Sequence, residues 1–261
     1  MQQIERIMLQ RMGKDLKQFK RPFLNRRISA RMRTVRVQDG SEYARILESD
    51  TNEPALLFKS FSINVTEFYR DAFVWESVAR NILPKLLQDR TGPIHVWSAG
   101  SASGEEPYSL AILLKESLGA RKIKFDVLAT DISLEALNRA RNGQYQTQSL
   151  KNLPPGIISK YFTQNGSTYQ VSDALKQHVR FEQGDIASFV IERADLIFCR
   201  NVLIYYDKPA QEMIFKRFHR TLANDGYLVI GQDETMMGIQ ASKIFSCIHP
   251  RERIYTKIAT Q

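Results

Sequence analysis

The chain has 261 residues, of which 43% are hydrophobic and 25% charged, and its formal net charge is +9. This length allows one large α/β domain, or one such domain with a small helical partner, and the composition is ordinary for a soluble globular protein. No apolar run approaches the ~20 residues that span a bilayer. The first residues also lack the apolar stretch of a signal peptide, so we expect a cytoplasmic protein without membrane insertion.

The positive charge lies mainly in one segment near the start of the chain. Residues 11–36 contain ten arginines and lysines against one acid, Asp15, so this segment alone carries +9 and the remaining chain is balanced. A local basic surface of this kind predicts an acidic macromolecular partner. Composition leaves open whether that partner is a nucleic acid or an acidic protein.

Residues 1–62 predict a small helical domain. An amphipathic helix within it is indicated by an apolar stripe at helical spacing. The stripe consists of Leu24, Ile28, Met32 and Val35. Arg27 and Arg31 flank this stripe, whereas Arg26 and Arg33 point away from it. No part of this domain shows the alternation of a β-strand.

From about residue 92 to residue 261, short β-rich runs alternate with amphipathic helical stretches. The predicted strands are residues 94–97, 125–129, 179–182, 196–199 and 227–230. The predicted helices are residues 105–118, 134–142 and 209–222. This alternation indicates a mainly parallel sheet with helices on both faces. Two last runs, residues 244–248 and 253–257, predict a hairpin and hence an antiparallel edge.

One stretch, at about residues 144–178, interrupts the alternation. It contains Pro154-Pro155-Gly156 and two short β-like pieces, residues 161–162 and 169–171. Asn165-Gly166 lies between these pieces and is a strong hairpin signal. We therefore predict a small antiparallel β-insertion in the α/β domain.

Residues 94–106 run from a strand through a loop of small residues, including Gly100, into a helix. Small residues let a ligand approach the backbone closely, and the start of a helix offers free N–H groups. The loop lacks the Lys-Ser/Thr ending of a phosphate loop. Glu105 and Glu106 would repel a pyrophosphate and favour a positively charged ligand, such as a sulfonium with an α-amino group. A tight structural turn is the alternative interpretation.

Polar side chains follow three further predicted strands. Asp131 ends the second strand, where an acid can accept both hydroxyls of a ribose, although it can also cap the next helix together with Ser133. Asp185 follows the third strand, where it can accept from an adenine amino group. Arg200 and Asn201 follow the fourth. In an open α/β sheet these strand ends line one crevice.

Four segments taken together resemble the CheR family, the chemotaxis receptor glutamate O-methyltransferases. They are residues 62–70, 97–108, 129–132 and 198–207. The most specific elements are Asn-x-Thr-x-Phe-x-Arg from residue 64, Gly-Glu-Glu-Pro-Tyr from residue 104 and Cys-Arg-Asn-Val-x-Ile-Tyr from residue 199. The similarity covers essentially the whole chain in matching order, including the basic helical start and the β-insertion.

The resemblance implies a fold and an activity. The fold is an all-helical N-terminal domain, a linker at residues 63–91 that covers the cofactor, and a methyltransferase domain at residues 92–261. That domain is a class I, Rossmann-like, S-adenosylmethionine-dependent methyltransferase with a mostly parallel seven-stranded sheet, a C-terminal antiparallel hairpin and the β-insertion. The activity is methylation of glutamate side chains on chemoreceptors, which leaves S-adenosyl-L-homocysteine.

The resemblance also implies roles for individual residues. Those expected to contact the cofactor are Asn64, Thr66, Arg70, Gly100, Glu106, Asp131, Asp185, Ile186, Arg200 and Asn201. Within this set Arg70 lies beside the reactive methyl, Glu106 contacts the methionine side and Asp131 the ribose. Tyr205 is expected near the transferred methyl. The chain departs from the family pattern at Asp185-Ile186, where Asn-Leu is frequent, and at Tyr206, where Phe is frequent.

The implied chemistry needs neither a metal nor a general base, because a glutamate carboxylate is already ionised at neutral pH. Arg70 is expected to hold that carboxylate, with Tyr205 donating a second bond. The alternatives are a salt bridge from Arg70 to Asp71 or Glu67, and plain core packing for Tyr205. The histidines are scattered, and Cys199 and Cys247 are expected to be small buried hydrophobes.

The basic residues Arg26, Arg27, Arg31 and Arg33 are expected to bind the cytoplasmic helical domain of methyl-accepting chemoreceptors. A nucleic-acid methyltransferase is the leading alternative. However, the Asn/Asp-Pro-Pro-aromatic motif of base methylation is missing after the fourth strand, and the basic segment lacks interleaved aromatics. An adaptor that binds cofactor without turnover is a third interpretation. Whether the β-insertion docks a receptor C-terminal peptide stays open.

Overall fold

A computed structural model describes residues 1–61, 66–236 and 240–258. The chain forms two compact units. The first comprises residues 1–63 and 203–211, and the second comprises residues 64–202 and 212–261. Residues 203–211, which lie within the predicted methyltransferase sequence, thus belong to the same unit as the start of the chain.

The first unit is helical, as predicted. Its helices are α1 (Gln2–Met12), α2 (Arg21–Thr34), α3 (Gly40–Ser49) and α4 (Glu53–Lys59), with 3₁₀ turns at Leu16–Gln18 and Leu203–Tyr205. The Asp39 carboxylate begins α3 by accepting from the N–H groups of Ser41 and Glu42, which satisfies two free helix donors. In α2 the predicted stripe faces inward, with Leu24 and Ile28 buried and Met32 and Val35 half-buried.

The main sheet of the second unit has the predicted architecture. The strands in chain order are β1 (Ile94–Ala99), β2 (Phe125–Asp131), β3 (Gln144–Gln146), β4 (Phe162–Asn165), β5 (Thr168–Val171), β6 (Val179–Gln183), β7 (Ala194–Cys199), β8 (Leu222–Ile230), β9 (Phe245–His249) and β10 (Ile254–Lys257). Seven of them form one sheet in the order β6-β2-β1-β7-β8-β10-β9. The first five in that order are parallel, and β10 and β9 add the antiparallel edge.

The helices of the second unit are α5 (Ala72–Ser77), α6 (Leu83–Leu87), α7 (Glu105–Leu118), α8 (Leu134–Asn142), α9 (Pro155–Tyr161), α10 (Asp173–Lys176) and, from residue 212 on, α11 (Lys208–Thr221). The limits of α7 and α8 are those predicted, and α11 is shifted by one residue. Ser133 caps α8 through its hydroxyl, and Gly143 ends it in a left-handed conformation.

Residues 72–87 correct the prediction of a linker over residues 63–91. They form α5, a π-helical turn and α6, and their apolar side chains are part of the core of the second unit. Val74, Val78 and Leu83 are fully buried there. This segment is a packed element because its apolar residues recur at helical spacing and cover the sheet.

The β-insertion forms a three-stranded antiparallel sheet in the order β3-β5-β4. Asn165 pairs with Thr168, so the turn consists of Gly166 and Ser167, one residue later than the Asn-Gly pair indicated. The sequence did not predict β3, which is only three residues long, or α9, whose Pro155 stands at a helix start where proline is tolerated. No described helix has the length and apolar character needed to cross a membrane.

Candidate cofactor and methyl-transfer site

The carboxyl ends of the five parallel strands meet at one edge of the sheet in the second unit. The strand order reverses at β1, which lies between β2 and β7, and in such sheets ligands bind beside this reversal. The loop after β1 is tied to the neighbouring strand, because the N–H groups of Gly100 and Ser101 donate to the Thr130 carbonyl at 2.8 and 2.9 Å. The predicted crevice residues of β1, β2, β6 and β7 therefore share this edge.

The glycines of the loop after β1 make room for the chain's own side chains. Gly100 and Gly104 have φ of +87° and +98°, which favours glycine. A Cβ on Gly100 would lie 2.4 Å from a Val202 methyl. A Cβ on Gly104 would lie 2.7 Å from both Ala140 Cβ and the Tyr145 hydroxyl. Internal packing therefore requires these glycines, as the alternative interpretation of a tight structural turn predicts.

Asp131 fastens the loop after β1 to the start of α8. Its carboxylate accepts from Ala102 N–H at 2.9 Å and from Ser133 N–H at 2.8 Å. Burial raises the pKa of Asp131, and these backbone hydrogen bonds oppose the rise. A carboxylate offers about four lone-pair sites, so sites for ribose hydroxyls remain beside the structural bonds. The structural interpretation of Asp131 is thus confirmed, and its contact with the ribose stays a prediction.

Glu106 belongs to a group of acids at this edge. It accepts from the Ser98 hydroxyl at 2.7 Å. Burial raises the pKa of Glu106, nearby Arg200 lowers it, and nearby Glu234 raises it. Glu234 was not predicted: its carboxylate accepts from Val202 N–H at 2.8 Å and from Gly231 N–H, which joins the loops after β7 and β8. An acid shortly after the fifth strand was the available signal.

Arg70 lies in a tightly held turn. Its neighbours Tyr69 and Asp71 have φ of +49° and +57°, which are strained values for such residues. The Arg70 carbonyl accepts from Trp75 Nε1 at 2.8 Å and from Arg200 Nη1 at 3.0 Å. The Arg200 guanidinium also pairs with the Asp71 carboxylate. The backbone carbonyl of Arg70 and the carboxylate of Asp71 thus hold this turn in place.

Arg200 therefore has a role that the sequence did not predict. It is buried, and its Nη atoms hold the Arg70 turn. Asp71, one alternative partner for Arg70, pairs with Arg200. Glu67, the other, pairs with Lys151 at 2.6 Å, and its pKa is lowered mainly by that hydrogen bond and also by the nearby charge of Arg70. Because both Nη atoms of Arg200 hold this turn, only its Nε atom and its backbone could make the predicted contact with adenine.

The remaining cofactor candidates are placed as follows. Asp185 is buried and accepts from Ala187 N–H at 2.9 Å, and Ile186 is buried beside it. Asn201 has φ of +61° at the end of β7. Thr66 is half-buried. Asn64 lies outside the described residues.

Tyr205 lies in the first unit, in the 3₁₀ turn at Leu203–Tyr205. It is half-buried, and its ring packs on Phe23 at 4.8 Å between centroids. Its carbonyl accepts from Lys20 N–H at 2.9 Å. This arrangement supports the packing interpretation of Tyr205 and leaves its catalytic role a prediction.

The four arginines of the basic surface differ in their surroundings. Arg31 makes a two-pronged ion pair with Glu53, at 3.0 and 2.6 Å, and Glu53 also accepts from the Tyr43 hydroxyl at 2.7 Å. The prediction that Arg31 faces a partner is therefore corrected, because its guanidinium is held inside the unit. Arg27 is half-buried over the Phe23 ring, and Arg26 and Arg33 are exposed.

Three buried polar atoms near the strand ends have no hydrogen-bond partner within the described ranges. They are Ser101 Oγ, Arg200 Nε and Gln232 Nε2. Buried polar groups are normally paired, so these atoms are available to a polar ligand at this edge. Together with the acids Glu105 and Glu106, they fit a ligand that combines a positive charge with several hydrogen-bonding groups, as S-adenosylmethionine does.

The sheet order, the antiparallel final strands and the crevice at the parallel strand ends define a class I S-adenosylmethionine-dependent methyltransferase. Comparison with family models then matches residues 1–62 to the CheR methyltransferase all-alpha domain and residues 64–253 to the CheR methyltransferase SAM binding domain. The chain belongs to the CheR methyltransferase family, which confirms the resemblance.

Curated relatives agree over nearly the full length. A chemotaxis protein methyltransferase of Listeria monocytogenes is 34% identical over 89% of this chain and 88% of its own. Proteins with the same description from Borreliella burgdorferi and Escherichia coli are 35% and 33% identical, over 89% and 91% of this chain and 87% and 84% of their own. The alternative of a nucleic-acid methyltransferase gains no support from these relatives.

Proposed function

We propose that this protein transfers a methyl group from S-adenosylmethionine to glutamate side chains of chemoreceptors and so forms methyl esters. The observation that carries the proposal is the Arg70 turn, in which Arg200 and Trp75 hold the backbone beside the acids of the crevice. An arginine fixed in this way offers a planar donor pair to a carboxylate, which is the nucleophile of this reaction. The names of the relatives support chemoreceptors as the substrates.

The proposed cofactor contacts follow the arrangement of the strand ends. Glu106 and its neighbouring acids would attract the positively charged methionine portion, and Asp131 would accept from the ribose hydroxyls. Asp185, Ile186 and Asn201 would surround the adenine, with Thr66 and Asn64 on the segment before Arg70. When bound, the sulfonium of the cofactor supplies a methyl group that needs no further activation.

The residues of the chain then act by orientation. The substrate carboxylate is ionised at neutral pH, so no side chain has to remove a proton. Arg70 would hold the carboxylate in line with the methyl, and Tyr205 would donate a further hydrogen bond. Partial removal of water from the carboxylate would strengthen both contacts.

The substrate surface is proposed to be the outward face of α2. Arg26 and Arg33 are exposed there and Arg27 is half-buried, whereas Arg31 is engaged with Glu53. A receptor helix with several glutamates would meet the three outer arginines through solvent-exposed ion pairs. Each such pair contributes about 0.2–1 kcal/mol, so together they orient the substrate rather than bind it tightly.

The test is methyl transfer from labelled S-adenosylmethionine to a purified chemoreceptor. We expect incorporated label that base treatment releases as methanol, because glutamate methyl esters are base-labile. DNA and RNA serve as competing substrates, and calorimetry checks binding of S-adenosylhomocysteine against NAD and ATP. Label on nucleic acid would favour the alternative enzyme, cofactor binding without transfer would favour an adaptor, and binding of NAD alone would refute the cofactor.

A further inference from the structure

The β-insertion contacts the loop after β1 through one buried tyrosine. Tyr145, in β3, donates its hydroxyl hydrogen to the Ser103 carbonyl at 2.7 Å. The same hydroxyl occupies the space that a Cβ on Gly104 would need. Ser103 is held from its other side as well, since its hydroxyl donates to Glu105 at 2.7 Å. The conformation of this loop therefore depends on the insertion.

The insertion also holds the segment that carries Thr66 and Arg70, through its aromatic rings and through residues 149–152 between β3 and α9. Phe68 lies midway between them, is fully buried, and packs edge-on against Tyr145 and Phe162, at 4.9 and 5.2 Å between ring centroids. The insertion thus contacts this segment through the fully buried ring of Phe68.

The Phe68 backbone is fixed at both polar groups. Its N–H donates to the Ser149 carbonyl at 3.1 Å, and its carbonyl accepts from Asn152 Nδ2 at 3.1 Å. One residue earlier, Glu67 pairs with Lys151 at 2.6 Å. Three residues of one short stretch, 149–152, therefore set the path of the chain that leads into the Arg70 turn.

We propose that the β-insertion is a positioning element of the methyl-transfer site, with Tyr145 setting the cofactor loop and Asn152 setting the Arg70 segment. This inference rests on the proposed function, because it assumes that cofactor binds beside the loop. It gives the insertion a role inside the enzyme whether or not it docks a receptor peptide. Since coupling between sites is reciprocal, cofactor binding should in turn stabilise the insertion.

The two contacts make separable predictions. Tyr145→Phe keeps the ring and removes the hydroxyl, so it should weaken S-adenosylhomocysteine binding by roughly tenfold, the upper range for one hydrogen bond, and leave turnover at saturating cofactor nearly unchanged. Asn152→Ala should lower turnover by roughly tenfold or more, since a displaced Arg70 orients the carboxylate poorly. Its affinity for S-adenosylhomocysteine should stay within about twofold of wild type, well below the effect of one lost hydrogen bond.

Tyr169→Phe is the matched control. Tyr169 lies opposite Tyr145 in the β3–β5 ladder and is half-buried, and its hydroxyl makes no hydrogen bond within the described part of the chain. This variant should bind and turn over like wild type. Melting temperatures of all three variants without cofactor show whether they are folded. A purely structural role would lower the melting temperature and leave the affinity and turnover of the folded protein unchanged.

The measurements are calorimetric affinity, steady-state turnover and amide hydrogen exchange of residues 144–171 with and without S-adenosylhomocysteine. Slower exchange in the wild-type insertion on binding supports the proposal and does not depend on any variant. Unchanged affinity in Tyr145→Phe together with unchanged exchange overturns it while the proposed function stands. Failure of the wild type to bind S-adenosylhomocysteine would refute the proposed function, and this inference with it.

Discussion

Side chains at the strand ends serve each other as well as the proposed ligand. Asp131 is bonded to two backbone N–H groups, and Arg200 holds the backbone of a distant turn. Substitution of either residue therefore mixes a structural loss with a functional one. Arg70 differs, because its turn is held through its carbonyl by Trp75 and Arg200.

Arg70→Ala should test the chemistry more directly than a change at Arg200. Arg200 and Trp75 can still bind the carbonyl of residue 70, so the turn and the cofactor site should persist. We expect turnover to fall about 100-fold or more, in the range of a lost charged contact to the reacting group, with cofactor affinity little changed. Arg200→Ala is the contrast, since it should lower both. Unchanged turnover in Arg70→Ala would show that the side chain is structural.

Glu105 predicts a pH dependence of stability. Burial raises the pKa of Glu105 from its ordinary value of 4.5 to about 7, against the hydrogen bond from Ser103. The folded state thus binds the proton more tightly than the unfolded state between these values. The contribution of protonated Glu105 to the free energy of unfolding is fully present below about pH 4.5 and is lost as pH rises to about 7.

Glu105→Gln, which resembles the protonated acid, should remove this dependence. The variant should gain on wild type as pH rises from 5 to 8, reaching an advantage of about 1–3 kcal/mol at pH 8. Urea unfolding of both proteins at several pH values measures the difference, in which other titrating groups cancel. A difference that does not change with pH would mean that Glu105 is already ionised at pH 5.

Helix α2 carries one arginine that faces the interior of the first unit, Arg31, and others that face solvent. Arg31 pairs with Glu53, whose side chain is almost inaccessible to solvent. Replacing Arg31 by an acid would therefore place two carboxylates together inside the unit. Arg26 and Arg33 are exposed and suit a test of partner binding. Substitution of Arg31 should therefore lower the stability of the fold, whereas substitution of Arg26 and Arg33 should affect only the binding of the receptor substrate.

Reversing Arg26 and Arg33 to Glu should raise the Michaelis constant for receptor several-fold and flatten its dependence on salt, since such pairs are weak and screened. Cofactor affinity should not change. The control is Arg6→Glu with Arg45→Glu, which makes the same charge change at exposed positions of α1 and α3. A nucleic-acid enzyme would instead show a steep salt slope on DNA or RNA. Equal kinetics in both double variants would reduce α2 to a charged surface.

At the scale of the whole molecule, the first unit is assembled from two distant parts of the chain. Phe19 packs on Tyr206 at 4.9 Å, and Asp207 N–H donates to the Gln18 carbonyl at 2.9 Å. The side chains of Phe19 and Phe23 are buried by these contacts with residues 203–211 and by neighbours in the unit. A fragment ending at residue 62 would expose part of this aromatic surface.

We therefore expect a fragment of residues 1–62 to be much less stable than one that also carries residues 203–211 on a flexible linker. Small domains are marginally stable, and losing the cover of two aromatic rings costs about 2–4 kcal/mol. Thermal unfolding followed by circular dichroism compares the two fragments. Equal melting temperatures would show that residues 1–62 are a self-sufficient domain.

Local patterns account for what the sequence determined by itself. The strand and helix alternation, the limits of α7 and α8, and the hairpin signal of the insertion all depend on residues within a few positions of each other. The positions of Glu106 and Asp131 at the strand ends could also be predicted, because their place after a strand is visible in the chain. The family motifs are contiguous in the chain as well, so the methyltransferase fold could be predicted from them.

Only the tertiary structure decided which distant residues share these positions. Tyr145 reaches Ser103 across 42 residues, and Arg200 reaches Asp71 across 129. Three further features also depend on the tertiary structure. They are the inward direction of Arg31, the packing of residues 72–87 into the core and the place of residues 203–211 in the first unit. Periodicity specifies which face of an element is apolar, but the partner of a polar side chain is fixed only when the elements pack and bring remote backbone within hydrogen-bonding distance.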